Sequence, residues 1–170
     1  MTMQDDIDRD RRAIEALIIE TYGALSSGKP GAERYFEDPD IAIAGSGEGE
    51  LVAGPDMAAR MAAAVVGLGY RWSADDITVW VRRDVAWAQI LGTVTTPEDV
   101  VSYRTTGVFE RDQDGWGWRY WGGAEPDDGL AGAGTRPAID LGLAACHFSM
   151  PSRPPSSAGA KPLPLTVATW

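Results

Sequence analysis

Only one cysteine and one histidine occur among the 170 residues, Cys146 and His147, and they are neighbours. A lone cysteine forms no intramolecular disulfide, so the fold needs no oxidising compartment and the cytoplasm is the expected location. One Cys and one His do not make a structural zinc site, and a Ser-His-Asp or Cys-His set would have to draw its base from the C-terminal segment. No metal and no cofactor are expected. Basic residues are scarce as well: 15 Lys and Arg stand against 25 Asp and Glu, for a net charge of −10. The imbalance falls in residues 1–126, which hold 12 of the basic and 22 of the acidic residues. Such a surface repels phosphate backbones, which argues against nucleic acid or an anionic membrane as a partner. No apolar run approaches the roughly 20 residues that span a bilayer. Met1–Arg12 is charged where a signal peptide is apolar, so no membrane partner is expected either.

What the chain does have is alternation. From Tyr70 to Ala124, apolar residues rich in Trp, Val, Ile and Thr recur at every second position. The runs Ile77–Arg83, Val85–Thr95, Val101–Arg111 and Trp116–Ala124 are separated by turn-forming stretches such as Thr96-Pro97-Glu98-Asp99 and Asp112-Gln113-Asp114-Gly115. Connections this short join antiparallel neighbours, because a parallel pair needs a crossover of a dozen or more residues. Upstream, Ile7, Ile14, Leu17, Ile18, Tyr22 and Leu25 fall on one face of a helix spanning Asp5–Ser27, with Asp5, Asp6, Asp8 and Asp10 complementing the dipole at its start. Ala32–Phe36 suits a short second helix, Ile41 and Ile43 a short strand, and Gly54-Pro55-Asp56 opens a helix to about Val66. Gly45-Ser46-Gly47-Glu48-Gly49 is read as a connection, since a phosphate loop needs a helix directly after it. Early helices and late strands predict an α+β domain, with helices packed on one face of a curved antiparallel sheet. Beyond it, residues 127–170 form a Pro-, Gly-, Ala- and Ser-rich extension, expected to be mobile, in which only Ala138–Met150 is apolar enough to dock.

Within residues 5–126 the order of motifs resembles the SnoaL-like branch of the nuclear transport factor 2-like superfamily, which also holds the ketosteroid isomerases. The resemblance rests on Tyr22-Gly-Ala-Leu-Ser-Ser-Gly28, Gly54-Pro55-Asp56, Asp84-Val-Ala-Trp87, Tyr103-Arg-Thr-Thr-Gly-Val-Phe-Glu-Arg111, Asp114-Gly-Trp116 and Trp121-Gly-Gly-Ala-Glu-Pro126. It implies a cone-shaped, cystatin-like fold enclosing an apolar pocket for a hydrophobic small molecule, and a homodimer formed through the outer face of the sheet. Of the three ketosteroid isomerase positions, only Tyr22 falls near its place. The base position falls near Gly45 and the second acid near Thr106, neither of which supplies a carboxylate. That argues against the isomerase reaction.

The resemblance also implies which strand faces point inward: Trp87, Gln89 and Leu91; Arg104, Thr106 and Val108; and Trp118 with Tyr120. On that reading Trp87, Gln89, Thr106 and Trp118 line a ligand pocket, covered from the helix by Met57 and Met61. Arg104 is the expected oxyanion stabiliser and Tyr22 or Tyr120 the proton donor, for a proton-transfer, cyclisation or hydration step on a ring-containing substrate. The competing reading is non-enzymatic: an interaction module with a filled aromatic core, in which Trp72, Trp80 and Trp121 face outward to a partner.

Overall fold

The computed structural model describes residues 3–47 and 49–125. Helix α1 (Met3–Leu25) buries Ile14, Ile18, Tyr22 and Leu25, a stripe whose spacings of four, four and three hold one face of a 3.6-residue repeat against the sheet. A 3₁₀ turn at Ala32–Phe36 buries Ala32 and Phe36. The short strands β1 (Ala42–Ala44) and β2 (Leu51–Ala53) form a hairpin, and helix α2 follows at Pro55–Gly67. Gly54 precedes α2 with φ 84°, a conformation that glycine adopts without a Cβ clash, and Pro55 pre-sets the first turn. Then come β3 (Arg71–Trp72), β4 (Asp76–Arg82), β5 (Val85–Thr95), β6 (Val100–Arg111) and β7 (Trp116–Ala124).

The seven strands form one strongly curled half-barrel in the order β2-β1-β7-β6-β5-β3, with β4 sharing the β5 edge ahead of β3. The four long runs expected as a meander pair as antiparallel neighbours from β4 to β7. The sheet is nonetheless mixed, since β1 runs parallel to β7, with Ile43 opposite Trp121. A chain of more than seventy residues separates those two strands, so no short turn forces them to be antiparallel. Strand β1 lies where Ile41 and Ile43 place a short strand, whereas β2, three residues long, and β3, two residues long, are too short for alternation to reveal them.

The buried face of the sheet differs from the expected one. On β5 the inward residues are Ala86, Ala88, Ile90 and Val94, and on β6 they are Tyr103, Thr105, Gly107 and Phe109. Trp87, Leu91 and Arg104 are exposed, and Gln89, Thr106 and Val108 are half-buried, all on the outer face. A period of two says that two faces exist, not which one is covered. Side-chain size suggests the wrong one here, because the covered face of β5 carries alanines.

A bulge between Val108 and Phe109 leaves Arg119 as the extra residue of β7, since Trp118 pairs with Phe109 and Tyr120 with Val108. Trp118 therefore points into the core and Tyr120 lies on the outer face. Arg119 is tied down by ion pairs to Asp38 and to Glu110 at 2.8 Å. The acids at the start of α1 are also paired: Asp6 with Arg9, Asp8 with Arg11, and buried Asp10 with Arg111. No cluster of three metal-ligating side chains occurs among the described residues, and no helix among them is long and apolar enough to cross a membrane. The extension 127–170, with Ala138–Met150, Cys146 and His147, lies outside the described residues.

Candidate functional site

Four aromatic rings meet at one end of the interior. Tyr22 comes from the last turns of α1, Trp72 from β3, Tyr103 from β6 and Trp121 from β7, and all four are buried. Trp72 stands edge-on to Tyr22 (6.1 Å between centroids), Tyr103 (5.1 Å) and Trp121 (5.7 Å), while Tyr103 and Trp121 stack at 6.1 Å. The Ser26 hydroxyl at the end of α1 accepts a 2.8 Å bond from the Trp72 backbone N–H and so fixes β3 against the helix. The Tyr103 ring crosses Gly123 on β7, where any Cβ would collide with it. A glycine inside a strand marks such a close approach.

The polar atoms of this cluster are mostly unpartnered. Tyr22 donates a 2.6 Å hydrogen bond to Thr105 Oγ1. The Tyr103 hydroxyl and the indole N–H groups of Trp72 and Trp121 are buried with no hydrogen-bond partner. The Trp121 N–H lies near the Tyr22 oxygen without completing a bond. A buried donor left unmade costs about 1–3 kcal/mol, so three together are a concentrated liability. Burial pushes the Tyr22 hydroxyl well above its ordinary pKa, an effect that Thr105 and Trp121 only moderate. Tyr103 is also raised, first by burial and then by the nearby Tyr22, Glu50 and Glu125. Both phenols therefore remain protonated hydrogen-bond donors throughout the ordinary pH range.

Glu50 is the carboxylate that the sequence reading missed. It sits just before β2, only 9% exposed, and accepts a 2.8 Å bond from the Gly47 N–H. The loop closes around it: the Gly45 N–H bonds the Glu50 carbonyl at 2.7 Å, and the Glu50 N–H bonds the Gly47 carbonyl at 3.2 Å. A Cβ on Gly45 would land on the Glu50 carboxylate, and one on Gly47 would lie 2.7 Å from its Cδ. Gly45, the expected site of a base, is thus empty of side chain because Glu50 fills that space from five residues further on. The signal in the sequence is Gly45-Ser-Gly-Glu-Gly-Glu50, whose glycines make room for an acid rather than for a phosphate. At the mouth of this loop Ser46 donates to Glu125 at 3.3 Å.

The other expected site residues are dispersed. Tyr22 alone among the proposed catalytic groups joins the interior cluster. Arg104 is exposed on the outer face, Tyr120 lies half-buried with its ring against Gly122, and Gln89 donates to Thr106 at 2.7 Å on that same face. The structure therefore separates Arg104 from Tyr22 by the thickness of the sheet. Met61 is buried in the core, and Met57 is half-buried on α2. Trp118 is buried, but its indole donates to Thr21 Oγ1 at 3.0 Å and its ring packs on Phe109 (4.4 Å) and Phe36 (6.3 Å), a complete structural environment. Trp72 and Trp121 face inward; of the three tryptophans offered as outward, only Trp80 is on the outer face, stacked on Trp87 at 6.2 Å.

Comparison with known proteins agrees with this fold. A family model described as a SnoaL-like domain matches residues 14–123, and the chain belongs to that family. Among solved structures, it is similar to an NTF2-like protein of unknown function from Pseudomonas putida KT2440, with TM-score 0.62, 17% identity, and coverage of 75% of this chain and 92% of that one. It is also similar to an NTF2-like protein with a cystatin-like fold from Novosphingobium aromaticivorans, with TM-score 0.60, 20% identity, and coverage of 72% and 86%. A third similar structure is a candidate scytalone dehydratase from N. aromaticivorans DSM 12444, with TM-score 0.62, 14% identity, and coverage of 80% and 95%. Likenesses at these identities speak for the fold alone. A comparison with curated proteins found no match.

Proposed function

We propose that this SnoaL-like chain binds a hydrophobic, ring-containing small molecule bearing a carbonyl oxygen at the Tyr103 end of its half-barrel, and moves a proton next to that carbonyl. The observation that carries the reading is the trio of buried, unpartnered donors: Tyr103 O–H, Trp72 Nε1–H and Trp121 Nε1–H. Indole N–H groups donate only, so what completes them is an acceptor, and the rings around them favour a flat apolar body. Glu50 is the general base in this scheme. Its carboxylate takes a proton from the carbon beside the carbonyl; the C–H electron pair forms the enolate double bond and the carbonyl electrons move onto oxygen, where Tyr103 O–H stabilises the charge. Return of that proton to the same carbon or a conjugated one completes an exchange or isomerisation, without any oxidant or reductant. The site residues proposed are Glu50, Tyr103, Tyr22, Trp72 and Trp121; Arg104, Gln89, Thr106, Trp87 and Tyr120 belong instead to the outer face.

The test uses the full chain with 2-tetralone and tetralin, which share a ring skeleton and differ in the carbonyl. Saturable binding of 2-tetralone but not tetralin is expected; equal binding of both sinks the acceptor reading. In D₂O, the protein should accelerate deuterium uptake next to the 2-tetralone carbonyl, and Glu50→Gln should remove that acceleration while leaving binding. Gly45→Ala is a second variant, because its methyl would displace the Glu50 carboxylate; it also breaks the bond from the Gly47 N–H, so its folding is checked by thermal unfolding before exchange is compared. Unchanged exchange in both variants removes Glu50 from the scheme.

A second reading is favoured by the outer face, where Trp80 and Trp87 stack while about 40% exposed, near exposed Leu91 and Val85. Aromatics are enriched at interfaces, and this face is the proposed surface of a homodimer, checked by light scattering of the protein and of Trp87→Glu. The proposed setting is cytoplasmic, consistent with a chain that has one cysteine, and the proposed folded unit is residues 1–126 with 127–170 as an appendage.

A further inference from the structure

The first turns of α1, the β4–β5 turn and the end of β6 enclose a groove of about 860 Å³ on the side of the molecule that carries Asp10, Arg83 and Arg111. Met3, Ile7 and Val81 supply its apolar lining. Its charges are unevenly matched. Asp6 is held by Arg9 at 3.0 Å, and Asp10 by Arg111, whose guanidinium also lies 4.6 Å from the centre of the Trp116 ring. Asp84 reaches only the Nε of Arg111, at 3.9 Å, with its own side chain 74% exposed. Arg82 and Arg83 line the same groove and are exposed, and their side chains have no ion-pair or hydrogen-bond partner among the described residues.

Arg83 also holds an unusual backbone. Its φ is 57°, the only positive value at a non-glycine residue among those described. The left-handed region costs a side-chain-bearing residue about 1–2 kcal/mol, and glycine would occupy the position without that penalty. The turn is fixed there by the Arg111 N–H, which donates to the Asp84 carbonyl at 2.8 Å. In a chain of net charge −10, two arginines without ion-pair partners beside the apolar strip of a charged groove, one of them held in a strained turn, make a local exception to a surface that otherwise repels anions.

We infer that this groove binds an amphipathic organic carboxylate, with its apolar body along Met3, Ile7 and Val81 and its head group on Arg82 and Arg83. The volume falls within the range of small-molecule sites, roughly 300–1,000 Å³, and the planar guanidinium fork matches a carboxylate. The site is separate from the Glu50–Tyr103 cluster and does not depend on a function there.

Isothermal titration of the full chain with decanoate, decanol and decyltrimethylammonium tests this. Decanoate is expected to bind at 1:1 and to weaken with added salt, while the alcohol and the cation do not bind. Arg83→Gly is the decisive variant: it relieves the strained turn and should raise thermal stability, so a loss of decanoate affinity of roughly tenfold cannot be ascribed to misfolding. Arg82→Ala should weaken binding to a similar degree. Equal binding of decanoate and decanol overturns the inference. So does decanoate binding that survives both arginine variants but is lost in Tyr103→Phe, which would locate the acid in the interior cluster.

Discussion

Trp118 and Trp121 stand three residues apart on β7, both at 2% exposure or less, yet they belong to different kinds of environment. The Trp118 indole is bonded to Thr21 and its ring is packed by Phe109 and Phe36. The Trp121 indole has no partner and shares that condition with Trp72 and Tyr103. Burial alone does not separate the two regions, and neither does residue type, since both are aromatic. Completeness of hydrogen bonding does. A core finishes its own polar groups, whereas this end leaves three donors unfinished, which is the difference on which the proposed ligand site rests.

That contrast is open to attack by substitution. The largest effect is expected for Trp118→Ala, which removes a fully packed ring and its indole hydrogen bond to Thr21; urea unfolding should show a loss of about 3–5 kcal/mol. A loss below about 1 kcal/mol would mean that the Trp118 end is not the structural one. Gly107→Ala attacks the same end from the sheet, because its Cβ would lie 2.8 Å from the rings of Phe109 and Trp118. Rigid rings yield poorly, so a destabilisation of about 1–3 kcal/mol is expected by the same measurement.

A finer comparison sets the two buried tyrosines against each other. Tyr22→Phe deletes a 2.6 Å hydrogen bond and leaves Thr105 unpaired, and should lower stability by about 1–2 kcal/mol. Tyr103→Phe deletes a hydroxyl that has no partner, and should leave stability unchanged or slightly higher while weakening 2-tetralone binding. Equal destabilisation by both variants would show that the Tyr103 hydroxyl is in fact satisfied. The smallest effect concerns pH. Burial holds both phenols above the ordinary tyrosine pKa of about 10 in the folded state, so their contribution is complete below about pH 10 and is lost as pH rises past it, where only the unfolded chain ionises. Absorbance near 295 nm should accordingly show two of the five tyrosines titrating only with unfolding, and Tyr22→Phe with Tyr103→Phe should remove that coupled step.

Much of the architecture was legible in the sequence. The four long strands end where Asp84, Pro97 and Gly115 place turns, and α1 and α2 follow from their apolar stripes and the Gly54-Pro55 start. Both are local signals, carried by residues a few positions apart. The family was legible for the same reason, because ordered motifs survive at low identity. The site was legible only in part. Tyr22 was found because it lies on a helix whose buried face is fixed by its own period. Trp118 was placed inward correctly, but the residues of β5 and β6 were assigned to the wrong side, because alternation is symmetric under a shift of one residue.

The sequence by itself therefore determined the elements, their order and the acidic character of the chain, since propensity, periodicity and charge are properties of short stretches. Only the tertiary structure decided which face of each strand is covered, where the Arg119 bulge turns Trp118 in and Tyr120 out, and how Glu50 comes to fill the space above Gly45. Those outcomes depend on what packs across the sheet, and two residues far apart in sequence acquire a relation only when the chain closes on itself.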